Sequence, residues 1–238
     1  MSLYNQIKNA RSKGDKVLAI LLDPDKVKHD ELPGLIERIN QSRASIILVG
    51  GSEVASGITE TVIKIIKDYS PLPIVIFPGD LNQITPMANA ILFLSLVSGR
   101  NPEYLIGKHV QAVPLLEDSG LEVISTAYIL IENGRETSVE RRSGTKPMSR
   151  SNPDKIVRTA KAAEYLGFKM VYLEAGSGAK HPVSANLIEQ VRSKVNLPLI
   201  VGGGIKSIQE VELAFKAGAD IVVVGTAVEE DESILNSL

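Results

Sequence analysis

The sequence predicts one α/β domain, a (β/α)8 barrel spanning residues 1–238. Eight short apolar runs alternate with amphipathic stretches, and most runs are continuously apolar rather than alternating, as parallel strands covered on both faces require. The last three runs end in glycine-rich turns, at the strand ends where such barrels most often hold phosphate. The length, 238 residues, is close to the roughly 250 that this architecture uses. Alternation alone also admits an open doubly wound sheet. The strand count and the placement of the glycines favour closure.

Taken in order, the candidate strands are Val17–Leu22, Ser45–Val49, Ile74–Phe77, Ile91–Val97, Val123–Ile129, Met170–Leu173, Leu199–Val201 and Ile221–Val224. After the first two, apolar stripes mark helices: Leu35, Ile36 and Ile39, then Val62, Ile63, Ile66 and Tyr69. Between Phe77 and Ile91 lies PGDLNQITPMANA, which has two prolines and is too short for a helix with its loops. The third helix of the barrel is therefore expected to be missing or replaced by an extended segment. Asn152-Pro153 opens a later helix with a capping side chain and a proline, and Gly167 closes it. After Ser184, one face carries Leu187, Ile188, Val191 and Val195. Ser207 with Glu210 is a capping-box pattern, and Gly218 is its stop. Glu132–Ser151 is long, polar and rich in Arg, Ser and Gly; loops of this length usually serve a site.

Composition excludes several classes. A net charge of −2 gives no footprint for nucleic acid, and the absence of cysteine rules out disulfides and thiolate metal sites. No apolar run reaches the 18 or so residues of a membrane span; the longest, Ala90–Val97, is interrupted by Ser95. The polar N-terminus lacks a signal-peptide core. A cytoplasmic protein is expected.

The chemistry concentrates at the predicted C-terminal strand ends. Ala175-Gly176-Ser177-Gly178, then Gly202-Gly203-Gly204, then Gly225-Thr226 bring backbone N–H groups to one place without Cβ atoms in the way. Tyr172 and Glu174 share a side by alternation, and a carboxylate beside a phosphate cradle suits a polyol phosphate, with Glu174 as general base. Asp23 at the end of the first strand and Ser52 after the second offer a carboxylate and a hydroxyl for Mg²⁺, against the plainer roles of turn and helix cap. His29, His109 and His181 are scattered without metal-ligand spacing. Arg135, Arg141, Arg142, Lys146 and Arg150 fill the long loop, where a solvated face is the main expectation and diphosphate contact the lesser one.

LLDPDK (21–26), GGSEVASG (50–57), NPEYLIGKH (101–109), YLEAGSGA (172–179), VGGGI (201–205) and VVGTAVE (223–229) together resemble the geranylgeranylglyceryl phosphate synthase family, which includes heptaprenylglyceryl phosphate synthases. The resemblance runs over nearly the whole chain. It implies a Mg²⁺-dependent prenyltransferase joining sn-glycerol 1-phosphate to a polyprenyl diphosphate through an ether bond, on a barrel whose third helix is replaced. Carried over, Asp23 and Ser52 bind the metal; Tyr172, Leu173, Glu174, Ala175, Gly176, Ser177, Gly178, Gly203, Gly204, Gly225 and Thr226 bind glycerol phosphate; Glu174 orients or deprotonates the attacking hydroxyl. A greasy groove between the third and fourth strands, with Tyr104 on its wall, would take the prenyl tail. Bacterial heptaprenyl members carry a lysine two residues before the first Asp, where this chain has Leu21, so the geranylgeranyl branch is expected. A homo-oligomer, dimer or hexamer, and transient contact with a membrane surface complete the expectations. The competing readings are a sugar-phosphate isomerase or lyase on the same barrel, against which no strand lysine stands where a Schiff base would form, and a non-catalytic phosphate-binding module.

Overall fold

The computed structural model describes residues 1–238 and closes eight parallel strands into a barrel in sequence order, β1 to β8. The strands are β1 Val17–Leu22, β2 Ala44–Val49, β3 Ile74–Ile76, β4 Ala90–Leu96, β5 Glu122–Leu130, β6 Met170–Glu174, β7 Leu199–Gly202 and β8 Ile221–Val224. Pairing of Val17 with Ile221 and of Ile20 with Val224 joins the last strand to the first. Residues alternate between two cores. Ala19, Leu48, Val75, Leu92, Met170, Tyr172, Ile200 and Val223 fill the barrel interior, whereas Ile20, Ile47, Ile76, Val171, Leu173 and Val201 face the helices. Both faces are dry, which is why the strands read as unbroken apolar runs.

Helices cover the outside: α2 Leu32–Gln41, α3 Ile58–Tyr69, α4 Lys108–Leu116, α6 Pro153–Tyr165, α7 Ala185–Arg192, α8 Ile208–Lys216 and the short α9 Thr226–Glu230. Their starts follow the expected chemistry. Asn152 accepts a hydrogen bond from the Lys155 amide at 3.1 Å, and Ser184 and Ser207 cap α7 and α8 in the same way. Two members of the expected stripes differ. Tyr69 is 46% exposed at the end of α3, and Val195 is buried but lies beyond the end of α7.

No helix follows β3. Its place is taken by one 3-10 turn, Leu81–Gln83, and an extended return to β4, so the helical layer outside the paired strands β3 and β4 has a gap. A π-helical turn, Glu103–Gly107, leads into α4 and swings its side chains toward that gap. The 132–151 loop is not a free strap. It carries α5, Ser138–Ser143, bridges to β5 through Ile131 and Met148, and buries Asn133, Thr137, Ser143 and Thr145. A helix that precedes the barrel, α1 Leu3–Lys13, inserts Leu3 and Ile7 into the interior core. No helix is long and apolar enough to cross a membrane.

Candidate active site

Two cavities open among the C-terminal ends of the strands. The first holds the glycine turns together with Asp23, Ser52, Tyr172 and Glu174. The second is an apolar groove in the gap left by the missing helix, walled by Ile84, Ile91, Phe93, Leu96, Tyr104 and Ala112. Gly51, Ser52, Phe77, Tyr128 and Val139 line both, so the cavities share one wall.

The polar cleft is a nest of amides. The N–H groups of Ser177, Gly203, Gly204 and Gly225 donate to no acceptor in the chain, while Gly178 donates to Thr226 Oγ1 at 3.2 Å and the Ser177 hydroxyl lies 3.1 Å from the same atom. Convergent free amides attract an anion. Gly203 cannot be replaced: its φ is +82°, and a Cβ there would overlap a Glu174 carboxylate oxygen and the Gly176 amide.

Glu174 ends β6, 5% exposed, pointing into the barrel mouth. Burial pushes its carboxyl up from the ordinary 4.5 to about 7, against the lowering effect of the Gly176 amide, which donates to it at 2.5 Å. The Tyr172 hydroxyl, fully buried, is close enough to lower that carboxyl yet makes no well-formed hydrogen bond to it or to any other group. Such a buried, unpartnered hydroxyl is a standing cost of order 1–3 kcal/mol that a polar ligand would relieve. Phe77, Tyr128 and Tyr172 pack as a trio, with ring centroids 5.3 to 6.0 Å apart, and make the apolar floor beneath Glu174. Burial and the Glu174 charge raise both tyrosine hydroxyls well above their usual range, so they remain protonated donors.

Asp23 and Ser52 both line the cleft. The Asp23 carboxylate lies against Gly51, where a Cβ would stand 2.5 Å from Asp23 Oδ1. Lys26 lies 3.5 Å from Asp23 and 2.8 Å from Glu229. The chain has no group of three His, Cys, Asp or Glu side chains able to hold a metal unaided. One carboxylate and one hydroxyl instead fit Mg²⁺, which keeps waters and binds through substrate phosphates.

The structure thus brings together Tyr172, Glu174, Gly176, Ser177, Gly178, Gly203, Gly204, Gly225, Thr226, Asp23 and Ser52. Two expected residues do not reach the cleft. Leu173 and Ala175 are fully buried in the outer core, because alternation along β6 turns them toward the helices, and the Ala175 amide is spent on the Gly202 carbonyl at 3.0 Å. Among the loop cations, Arg150 ties the loop to the carbonyls of His181 and Pro182, and Arg141 stays on the surface with Glu136. Arg142 remains partly exposed but folds over the mouth onto Asp80 and the Ser52 carbonyl. His29 and His181 are exposed, whereas His109 is buried in the groove, 3.0 Å from Ser95 Oγ and edge-on to Phe93. Asp80, Lys108, Phe77, Tyr128 and Val139 come from four different elements and carry no joint spacing signal; only the position of Asp80 just past a strand end pointed toward the site.

A (β/α)8 barrel with an anion nest opening onto an apolar groove is the class that fold and site define. Residues 9–237 match the model of the PcrB family. The chain is 53% identical to the geranylgeranylglyceryl phosphate synthase of Flavobacterium johnsoniae, covering 99% of this chain and 97% of that one, and 47% identical to that of Spirosoma linguale, covering 98% and 93%. It superposes with a TM-score of 0.93, at 31% identity and over 100% of this chain and 95% of that one, on the crystal structure of (S)-3-O-geranylgeranylglyceryl phosphate synthase from Thermoplasma acidophilum in complex with its substrate sn-glycerol-1-phosphate. The chain belongs to the PcrB family, alongside these geranylgeranylglyceryl phosphate synthases.

Proposed function

We propose that the chain is a prenyltransferase that forms the ether bond between sn-glycerol 1-phosphate and geranylgeranyl diphosphate, releasing diphosphate. The observation that carries this reading is the shared wall. A nest suited to a small phosphate and a groove suited to an isoprenoid tail meet at Phe77, Tyr128 and Ser52, beside a buried carboxylate. The family and the bound sn-glycerol-1-phosphate of the Thermoplasma enzyme support the choice of acceptor.

In this scheme the free amides of Ser177, Gly203, Gly204 and Gly225 hold the phosphate. Tyr172 and Glu174 fix the glycerol hydroxyls. The C3 oxygen forms a bond to the allylic C1 as the bond from C1 to the diphosphate oxygen breaks. The hydroxyl proton passes to Glu174, and the electron pair of the broken bond leaves with the diphosphate. A base titrating near neutrality is well matched to this task. Holding both reactants across one wall converts a bimolecular step into an oriented one, worth up to about 7–11 kcal/mol at best.

Asp23 and Ser52 would hold Mg²⁺, which stabilises charge developing on the leaving diphosphate. Chelation should then abolish turnover reversibly, and Asp23→Asn should raise the Mg²⁺ needed for half-maximal rate; undiminished turnover in excess chelator would remove the metal from the scheme. Leu21, at the position of the heptaprenyl lysine, lines the cleft beside Gly225 and favours the geranylgeranyl substrate. The only lysine beside β6, Lys169, binds the Val123 carbonyl at the opposite end of the strand and offers no Schiff base to a sugar phosphate.

The direct assay incubates purified protein with Mg²⁺, sn-glycerol 1-phosphate and prenyl diphosphates of several lengths, with mass-spectrometric readout. Geranylgeranylglyceryl phosphate is the expected product. No ether product at any length would overturn the proposal. The exposed apolar row Ile106, Val110 and Val113 on the π turn and α4 supports assembly as a dimer or hexamer; light scattering that reads the 25.6 kDa monomer would refute it.

A further inference from the structure

A diphosphate leaving group carries several negative charges, and one divalent ion offsets only part of them. Two cationic side chains stand at the mouth of the groove next to Ser52: Lys108 at the start of α4 and Arg142 in α5. Both rest on a single carboxylate. Lys108 Nζ is 2.8 Å from Asp80 Oδ1, and Arg142 Nη2 is 3.0 Å from Asp80 Oδ2. Arg142 Nη1 also donates to the Ser52 carbonyl at 2.6 Å, which places the guanidinium beside a residue that lines the cleft together with Asp23.

These are not ordinary surface pairs. The side chains of Lys108, Arg142 and Asp80 are 26%, 31% and 32% exposed. Lys108 lies over the Tyr104 ring, 5.0 Å from its centroid, and the Tyr104 hydroxyl donates to the Arg142 carbonyl at 3.0 Å. One aromatic residue thereby ties α4 to α5 across the mouth. Two cations on one carboxylate leave a surplus positive charge. Burial works to raise the Asp80 carboxyl, but Lys108, the Leu81 amide and Arg142 outweigh it and hold the group ionised. A cationic surplus held between an apolar groove and a carboxylate–hydroxyl pair has no structural partner in the chain; its electrostatic complement is an anion attached to an apolar tail.

We propose that Lys108 and Arg142 form the diphosphate subsite, with Asp80 as the positioning residue that holds both cations in place before substrate arrives. This rests on the prenyl-transfer reading. Arg142 supplies a planar fork matched to phosphate oxygens, and Lys108 a mobile point charge. Together they receive the charge that accumulates on the diphosphate as its bond to C1 breaks.

The test measures KM for each substrate in Lys108→Gln, Arg142→Gln and Asp80→Asn, and inhibition by inorganic pyrophosphate with Mg²⁺. For both cation variants, KM for geranylgeranyl diphosphate and the pyrophosphate inhibition constant should rise by about tenfold or more, the loss expected for a charge-assisted contact. KM for sn-glycerol 1-phosphate and the melting temperature should stay near wild type. Arg142→Lys should recover part of the loss, and Asp80→Asn should weaken pyrophosphate inhibition although it removes a negative charge. Variants that keep both diphosphate constants within twofold of wild type, or that raise both KM values together, would overturn the subsite. A wild type that forms no ether product defeats the prenyl-transfer reading itself, whereas an active wild type with insensitive variants defeats only this assignment.

Discussion

Glu174 concentrates the chemistry of the cleft in one side chain. Its carboxyl titrates near 7 in the fold because burial disfavours the charged form, against 4.5 when unfolded. The folded state therefore binds the proton more tightly. The stability this group contributes is complete below about pH 4.5 and is lost as pH rises through 7, a change of about 3 kcal/mol at roughly 1.4 kcal/mol per unit. Catalysis needs the opposite form. The rate should climb through pH 7 and level off above it, and Glu174→Gln should cost about 10²–10⁴ in kcat while abolishing that limb of the profile. The same variant should melt higher than wild type at pH 8, with the gain shrinking toward pH 5. A Glu174→Gln enzyme that retains full turnover, or that melts lower at pH 8 with its fold intact, contradicts the assignment. Tyr172 and Glu174 were legible in the sequence because strand alternation fixes a shared side. The same rule turns Leu173 and Ala175, which the family resemblance had carried into the site, toward the helices.

At the scale of elements, the glycine turns could be read from the chain because each follows its strand directly. The short interval after β3 also announced a missing helix. What the interval could not reveal is the shape of the gap. Its walls come from the 3-10 turn, the π turn, α4 and α5, and a π turn leaves no periodic signature that separates it from an α-helix. Arg142 was one of five loop cations for which diphosphate contact was the lesser expectation, but its meeting with Asp80 and Lys108 left no sequence signal, because only closure of the barrel brings the three together. The groove predicts its own test. Ala112 sits 3% exposed on its wall, so Ala112→Phe should fill space along the tail and shift product toward shorter prenyl chains in a competition assay. An unchanged length distribution would place the tail elsewhere.

The whole molecule divides its labour between its two ends. The C-terminal mouth keeps unpaired amides, an unpartnered tyrosine hydroxyl and a buried acid. The opposite end is sealed. Leu3 and Ile7 of α1 plug the barrel, and Glu122 at the start of β5 accepts from the Leu3 and Tyr4 amides at 2.5 and 3.1 Å, completing the helix N-terminus. Glu122→Ala should lose about 1–2 kcal/mol and lower the melting temperature by a few degrees, while KM for both substrates is unchanged. The polar N-terminal sequence did not disclose this plug, since only two of its residues are buried.

In the proposed reaction two reactants meet across the wall formed by Phe77, Tyr128 and Ser52. A crystal structure with sn-glycerol 1-phosphate and a non-reactive geranylgeranyl diphosphate analogue tests it most directly. Phosphate is expected on the Gly203–Gly204 and Ser177 amides, the C3 hydroxyl on Glu174 facing the allylic carbon, and the tail in the groove past Tyr104. Glycerol phosphate bound outside the nest, or a tail lying anywhere but the gap outside β3 and β4, would contradict it.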